Sequence, residues 1–294
     1  MFQVSELFRL SPVTVFAFGF TPPLFGAIAA ITIALVFHND EISNYNWQCG
    51  RAKLPSLSRI INLPVERTFW QLFILIHVPI RLVELFAGFS RFHRLMNVNY
   101  AHKWFYELSR YCYLYFGVAE LLFLSALSII GERENIQVHV ILFYVFGFCG
   151  IVFFIANIIC HRHSLYYLNP YGRISYYLKV ILCTAYLLIV PILVGSFLLY
   201  WRACITTGIN FITAILQPIV ITAIPTYEVF AICEYTGVFL NIAFHGCAFF
   251  DIRHKVIFCV RIVETIPKKT NDVEEKCEDK SANLNSAKSL RMNG

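Results

Sequence analysis

The stretch Gln137–Cys160, QVHVILFYVFGFCGIVFFIANIIC, decides the class of fold, because 24 residues pass without one Asp, Glu, Lys or Arg. An α-helix needs about 20 mostly apolar residues to cross roughly 30 Å of hydrocarbon, so this run reads as a membrane span. Working outward, comparable runs lie at about 13–37, 67–90, 105–130, 177–201 and 227–250, which makes six spans. Hydrophobic residues are 58% of the 294-residue chain and charged residues 14%. That composition excludes both a soluble enzyme and a disordered chain. The first run carries Pro22-Pro23 in its middle and is too long for the apolar part of a signal peptide, so it is expected to remain as a kinked span. The expected fold is an all-α polytopic bundle of six transmembrane helices within residues 1–264. The tail 265–294 mixes six basic and five acidic residues with no apolar period and is expected to be disordered.

The net charge of +6 gains meaning only by position, and it gives no reason to expect a nucleic-acid partner. Segments sharing a side with the N-terminus hold eleven Lys and Arg residues, against five on the other side, Arg51, Lys53, Arg59, Arg133 and Arg202. Positive charge stays in the cytosol, so both termini are expected there and 38–66 forms the large extracytosolic loop. The apolar stretch 209–225, interrupted by Gln217-Pro218, would turn the basic tail outward if it spanned. It is therefore expected to be re-entrant or interfacial.

Ionisable side chains inside apolar runs are costly and mark functional candidates. His77, Arg81 and Glu84 stand at i, i+4 and i+7 and share a helical face, with Arg81 in reach of both neighbours. Glu234, Asn241 and His245 form a second stripe. Counted from the extracytosolic end, His77 and Glu120 lie about ten residues deep and Glu234 about seven, so the three reach a similar level at 1.5 Å per residue. Three readings of this set stand side by side: general acid/base chemistry toward a lipid ester or hydroxyl, a polar network that fixes helix packing, and headgroup binding without chemistry. His245 lies nearer the cytosolic end and fits such a site less well. His161 and His163 flank Arg162 at a helix end and read as solvated loop residues. No His-x-x-x-His or Cys-x-x-Cys spacing, Gly-rich phosphate loop or Gly-x-Ser-x-Gly elbow occurs, so neither a metal nor a cofactor is expected. Most of the ten cysteines fall in or beside apolar runs; Cys49 and Cys204 fall in extracytosolic loops, as either a disulfide or two free thiols.

Specific strings add a resemblance. Cys49-Gly50, Leu54-Pro55-Ser56-Leu57-Ser58, Pro64, Arg67, Trp70, Leu75-Ile76-His77 and Arg81 resemble the start of the Frag/DRAM/Sfk superfamily, nearest to its post-GPI attachment to proteins factor 2 family. Phe230–Thr236, Asn241, Ala243-Phe244-His245 and Asp251 are similar to that family's final helix, with Glu120 and His139 falling where the family also carries Glu and His. The resemblance implies a multi-pass Golgi protein, with the endoplasmic reticulum as a second location, needed for fatty-acid remodelling of glycosylphosphatidylinositol (GPI) anchors at reacylation of a lyso-GPI. It implies membrane lipid, GPI-anchored proteins and other GPI-remodelling proteins as partners. No His-x-x-x-x-Asp acyltransferase box is present, so an acyltransferase would have to use the intramembrane set. His77, Glu120 and Glu234 are then the candidate catalytic groups, and Arg81, Tyr235, Asn241 and His139 the candidate substrate-binding ones. The alternatives are a non-catalytic, lipid-presenting scaffold and a superfamily member acting in autophagy or phosphoinositide homeostasis. The insertion at 209–225 and Val140 after His139 depart from the family pattern.

Overall fold

The computed structural model describes residues 2–44, 53–97, 100–202, 217–252 and 258–265. It divides into two units, one of residues 11–256 and one containing 1–10 with 257–294.

The larger unit is helical. α1 spans Pro12–Phe37, followed by the short α2 (Asn39–Asn44) and α3 (Leu57–Ile60); α4 spans Pro64–Arg94, α5 Lys103–Ile129, α6 Ile136–Arg162, α7 Pro170–Tyr200, α8 Gln217–Gly246 and α9 Ala248–Ile252. Six helices are long and apolar enough to cross a membrane, as expected from the sequence. Their starts follow from local chemistry. Ser11, Asn135 and Asn169 accept hydrogen bonds from the backbone N–H of Thr14, Val138 and Tyr171. Pro12, Pro64 and Pro170 begin their helices, where a missing N–H loses no intrahelical bond. Pro22 and Pro23 lie inside α1 without ending it.

Several helices outrun the apolar runs that announced them. α4 continues to Arg94 and α7 begins at Pro170, because charged and aromatic residues at a span's ends extend the helix past the hydrocarbon signal. Of the stretch 209–225, expected to be re-entrant or interfacial, residues 217–225 are the opening turns of α8, continuous with the last span. Pro218 falls in the first turn of that helix, where it is tolerated. Residues 209–216 lie outside the described ones.

Helices in lipid gain little from mutual hydrophobic burial and rely on close van der Waals contact, which small residues permit. A Cβ placed on Gly19 of α1 would lie 2.6 Å from Glu84 Oε1 of α4. Phe92, Tyr106, Tyr113, Phe153, Phe154 and Phe244 fill one core, where the Phe154 and Phe244 rings stack 3.8 Å apart. Leu75, Leu122 and Leu188 point outward, as lipid-facing side chains should.

The smaller unit holds an antiparallel pair, β1 (Phe2–Leu10) against β2 (Phe258–Thr265), with a register shift between Glu6 and Phe8. These strands were not expected. Their signal was the period-two alternation Phe2, Val4, Phe8 and Leu10, interrupted at Glu6-Leu7. Apart from its first residue, Thr265, the expected disordered tail lies outside the described residues.

Candidate functional site

The sequence motif Leu54–Ser58 is explained by α8. Tyr235 donates its hydroxyl to the Pro55 carbonyl at 2.6 Å, and the Ser56 N–H donates to the Tyr227 hydroxyl at 3.0 Å. Glu234 receives the Leu57 N–H at 2.8 Å, the Ser58 N–H at 3.2 Å and the Ser58 hydroxyl. Its carboxylate thus caps the first turn of α3, where free N–H groups favour an anion. The end of the bundle carrying residues 53–63 and 130–135 is called the upper end below.

Deeper in the bundle runs a chain of polar contacts across three helices. Arg81 donates to Glu84 at 2.6 Å and to His245 Nδ1. His245 Nε2 then donates to Glu120 Oε1 at 3.2 Å, and Asn241 Nδ2 donates to the same oxygen at 2.7 Å. Both nitrogens of His245 are therefore committed, and the Arg81 contact fixes the proton on Nε2. Asn241 and His245 reach one carboxylate because they stand one helical turn apart on α8. The sequence reading set His245 aside on depth alone; it is in fact the link between Arg81 and Glu120.

Arg81, in reach of both His77 and Glu84 along α4, takes Glu84. His77 Nδ1 meets the Gly19 carbonyl of α1 at 2.5 Å, since Gly19 brings that backbone close. His77, Glu120 and Glu234 do converge on one cavity of about 800 Å³, also bordered by His139, Asn241 and His245, and each keeps its own hydrogen-bond partners. Tyr235 acts on the loop at Pro55. His139 is 3% exposed and meets the Ile130 carbonyl at 2.8 Å through Nδ1. The cavity walls are otherwise largely apolar, with Phe20, Trp70, Ile74 and Leu121 among them.

A second polar cluster occupies the opposite end and was missed from sequence. Asp251 accepts from Lys179 at 2.6 Å, from Arg91 at 3.2 Å and from Ser175 at 2.8 Å. Lys179 also contacts Asn157 Oδ1 and His161 Nδ1, both at 3.2 Å. His161 is wholly buried, which corrects its reading as a solvated loop residue: its Nε2 meets the Gly172 carbonyl at 2.8 Å. The visible signal was Lys179 itself, a lone cation inside an apolar run.

Among the described residues no group of three His, Cys, Asp or Glu side chains is placed to hold a metal. Cys49 and Cys204 lie outside the described residues, and the disulfide proposed for them with it.

A six-span helical bundle with a buried carboxylate–imidazole–guanidinium chain beside an internal cavity defines the class: a multi-pass membrane protein with an intramembrane polar site. The chain belongs to the Frag1/DRAM/Sfk1/Cwh43P N-terminal domain family, whose domain it matches over residues 12–255. It is similar to post-GPI attachment to proteins factor 2 of Caenorhabditis elegans, 23% identical over 239 residues that cover 80% of this chain and 83% of the relative. No solved structure matches it.

Proposed function

We propose that this protein acts in GPI-anchor lipid remodelling, at the reacylation of a lyso-GPI with a saturated chain, as a multi-pass protein of the Golgi membrane with both termini in the cytosol. The observation that carries the reading is the convergence of His77, Glu120, Glu234, His139 and His245 on one cavity enclosed by apolar spans. Isolated ionisable groups at that depth cost several kcal/mol, so a cluster of them bordering open space is best explained by a polar substrate part brought into the membrane. The similarity to the nematode post-GPI attachment factor suggests the pathway. In this reading the lipid's reacting hydroxyl sits near the upper end, Arg81 lends positive charge below it, and Glu120 with Asn241 holds the His245 imidazole in place.

One observation favours a second reading, a lipid-presenting scaffold. Both Glu234 oxygens are taken by Leu57 and Ser58, so that carboxylate is engaged in holding the loop. Expression in cells lacking the endogenous family member, with anchor lipids measured by mass spectrometry, separates the two readings. An enzyme with Glu120→Gln keeps its abundance and loses the saturated anchor; a scaffold held together by this network loses abundance in step with activity.

A further inference from the structure

Between α6, α7 and α8 lies a slot of about 820 Å³ that the polar chain described above does not use. Phe143, Phe146, Ile151, Ile189, Val190 and Val238 line it. Two glycines open its walls: a Cβ at Gly147 or Gly237 would find its nearest atom, from Tyr186, 3.8 or 3.9 Å away. No packing demand therefore explains these glycines, unlike Gly19, where a neighbour presses close. Phe148, 60% exposed, stands at the rim, so the slot meets the lipid-facing side of the bundle.

At its upper end the slot adjoins a chamber of about 550 Å³, the two sharing Phe143, Tyr144, Leu193 and Glu234 as walls. The chamber holds two buried polar atoms, His139 Nε2 and Tyr144 Oη, that have no hydrogen-bond partner among the described residues. The His139 tautomer follows from its other nitrogen. Nδ1 faces the Ile130 carbonyl, which only accepts, so Nδ1 carries the proton and Nε2 is left as an acceptor. A buried acceptor without a donor has lost its water and gained nothing in return. It is the kind of atom a ligand hydroxyl satisfies.

We propose that the slot between α6, α7 and α8 seats one acyl chain of a membrane lipid, with Gly147 and Gly237 as the residues that give the chain room, and that His139 Nε2 accepts a hydrogen bond from a hydroxyl on that lipid's head while Tyr144 Oη donates to a neighbouring oxygen. An apolar slot that opens toward the bilayer and adjoins buried polar atoms at its upper end has the shape of an amphiphile. The proposal rests on the lipid-remodelling reading for its biological meaning, but in vitro lipid binding is measured without a GPI-anchored protein, so the two can fail separately.

The test uses the full chain in detergent micelles and a lysophospholipid carrying a free glycerol hydroxyl and a photoactivatable diazirine in its tail. Labelled peptides are expected from Phe146–Ile151 and Ile189–Val194. Gly147→Leu and Gly237→Leu should each cut labelling about tenfold with unchanged elution and melting, and Tyr144→Phe should weaken binding severalfold. The wild-type chain should prefer this lipid over its deoxy analogue by roughly tenfold, and His139→Leu should erase that preference. Labelling spread over outward faces, such as those of Leu75 or Leu122, overturns the slot without needing any variant. Equal binding of the hydroxyl and deoxy lipids overturns the role of His139. Retained binding, with lost rescue of anchor remodelling in cells, leaves the slot standing and removes the pathway assigned to it.

Discussion

The imidazole of His245, on α8, and the carboxylate of Glu120, on α5, meet at 3.2 Å inside the bundle, 125 residues apart in sequence. The same carboxylate oxygen takes a hydrogen bond from Asn241, while Arg81 occupies the other side of the imidazole. Removing Glu120 therefore has two separable effects. Gln keeps a carbonyl for both donors, so Glu120→Gln should melt within a few degrees of the parent. Ala leaves both donors buried and unsatisfied, at about 1–3 kcal/mol each. Thermal unfolding in detergent with tryptophan fluorescence checks the pair, and equal losses for the two variants would remove the network from the stability of the bundle.

Asp251 carries a heavier load, because Arg91 and Lys179 both depend on it. Asp251→Ala should lose about 3–5 kcal/mol and most of the monodisperse protein, since it leaves two buried cations uncompensated. Lys179→Met should lose much less: Asp251 keeps Arg91, and the thioether fills the lysine's volume. Fluorescence-detected size exclusion of the three proteins, expressed in parallel, reads the order. A Lys179→Met protein as depleted as Asp251→Ala would contradict it.

His38 follows α1 directly and donates to Glu66 at the start of α4, 2.6 Å away. That hydrogen bond holds the imidazole above its ordinary value of 6.5. A raised folded-state value means that the contact stabilises fully below about 6.5 and fades as the pH climbs through the higher folded value. Melting temperatures of the parent and His38→Asn should differ most near pH 5.5 and converge by pH 8.5. A gap that widens with pH reverses the sign and defeats the assignment.

Gly19 serves two neighbours at once. Its missing side chain lets Glu84 approach, and its carbonyl partners His77. Gly19→Val should push α1 off α4 at a cost of about 1–3 kcal/mol, the usual price of overpacking. Gly147→Val, facing the open slot, should be close to neutral in the same melting assay. Similar losses at both positions would mean that the slot is not open.

The fold was legible because a membrane span writes itself into twenty consecutive residues, as Gln137–Cys160 does. The site was legible in part. His77, Glu120 and Glu234 stood out as ionisable groups in apolar runs, and all three border one cavity. Which groups meet across helices was hidden, because depth along a helix says nothing of its rotation: Arg81 pairs with Glu84 on its own face, as their spacing allows, but also with His245 of α8. Arg91 falls just past the second apolar run in sequence and lies buried against Asp251, since α4 continues beyond that run. Glu234 looked like an acid in search of a substrate until α3, too short to announce itself by any period, folded onto it.

The most direct test of the central claim is the lipid composition of GPI-anchored proteins, by mass spectrometry, in cells lacking the endogenous family member and rescued with this chain or with Glu120→Gln at matched abundance. Restoration of saturated anchors by the parent chain and their loss with Glu120→Gln is the expected result. Unsaturated or lyso anchors persisting with a correctly located, well-expressed parent chain would contradict a role in remodelling, and full restoration by Glu120→Gln would show that the carboxylate at the centre of the bundle takes no part in it.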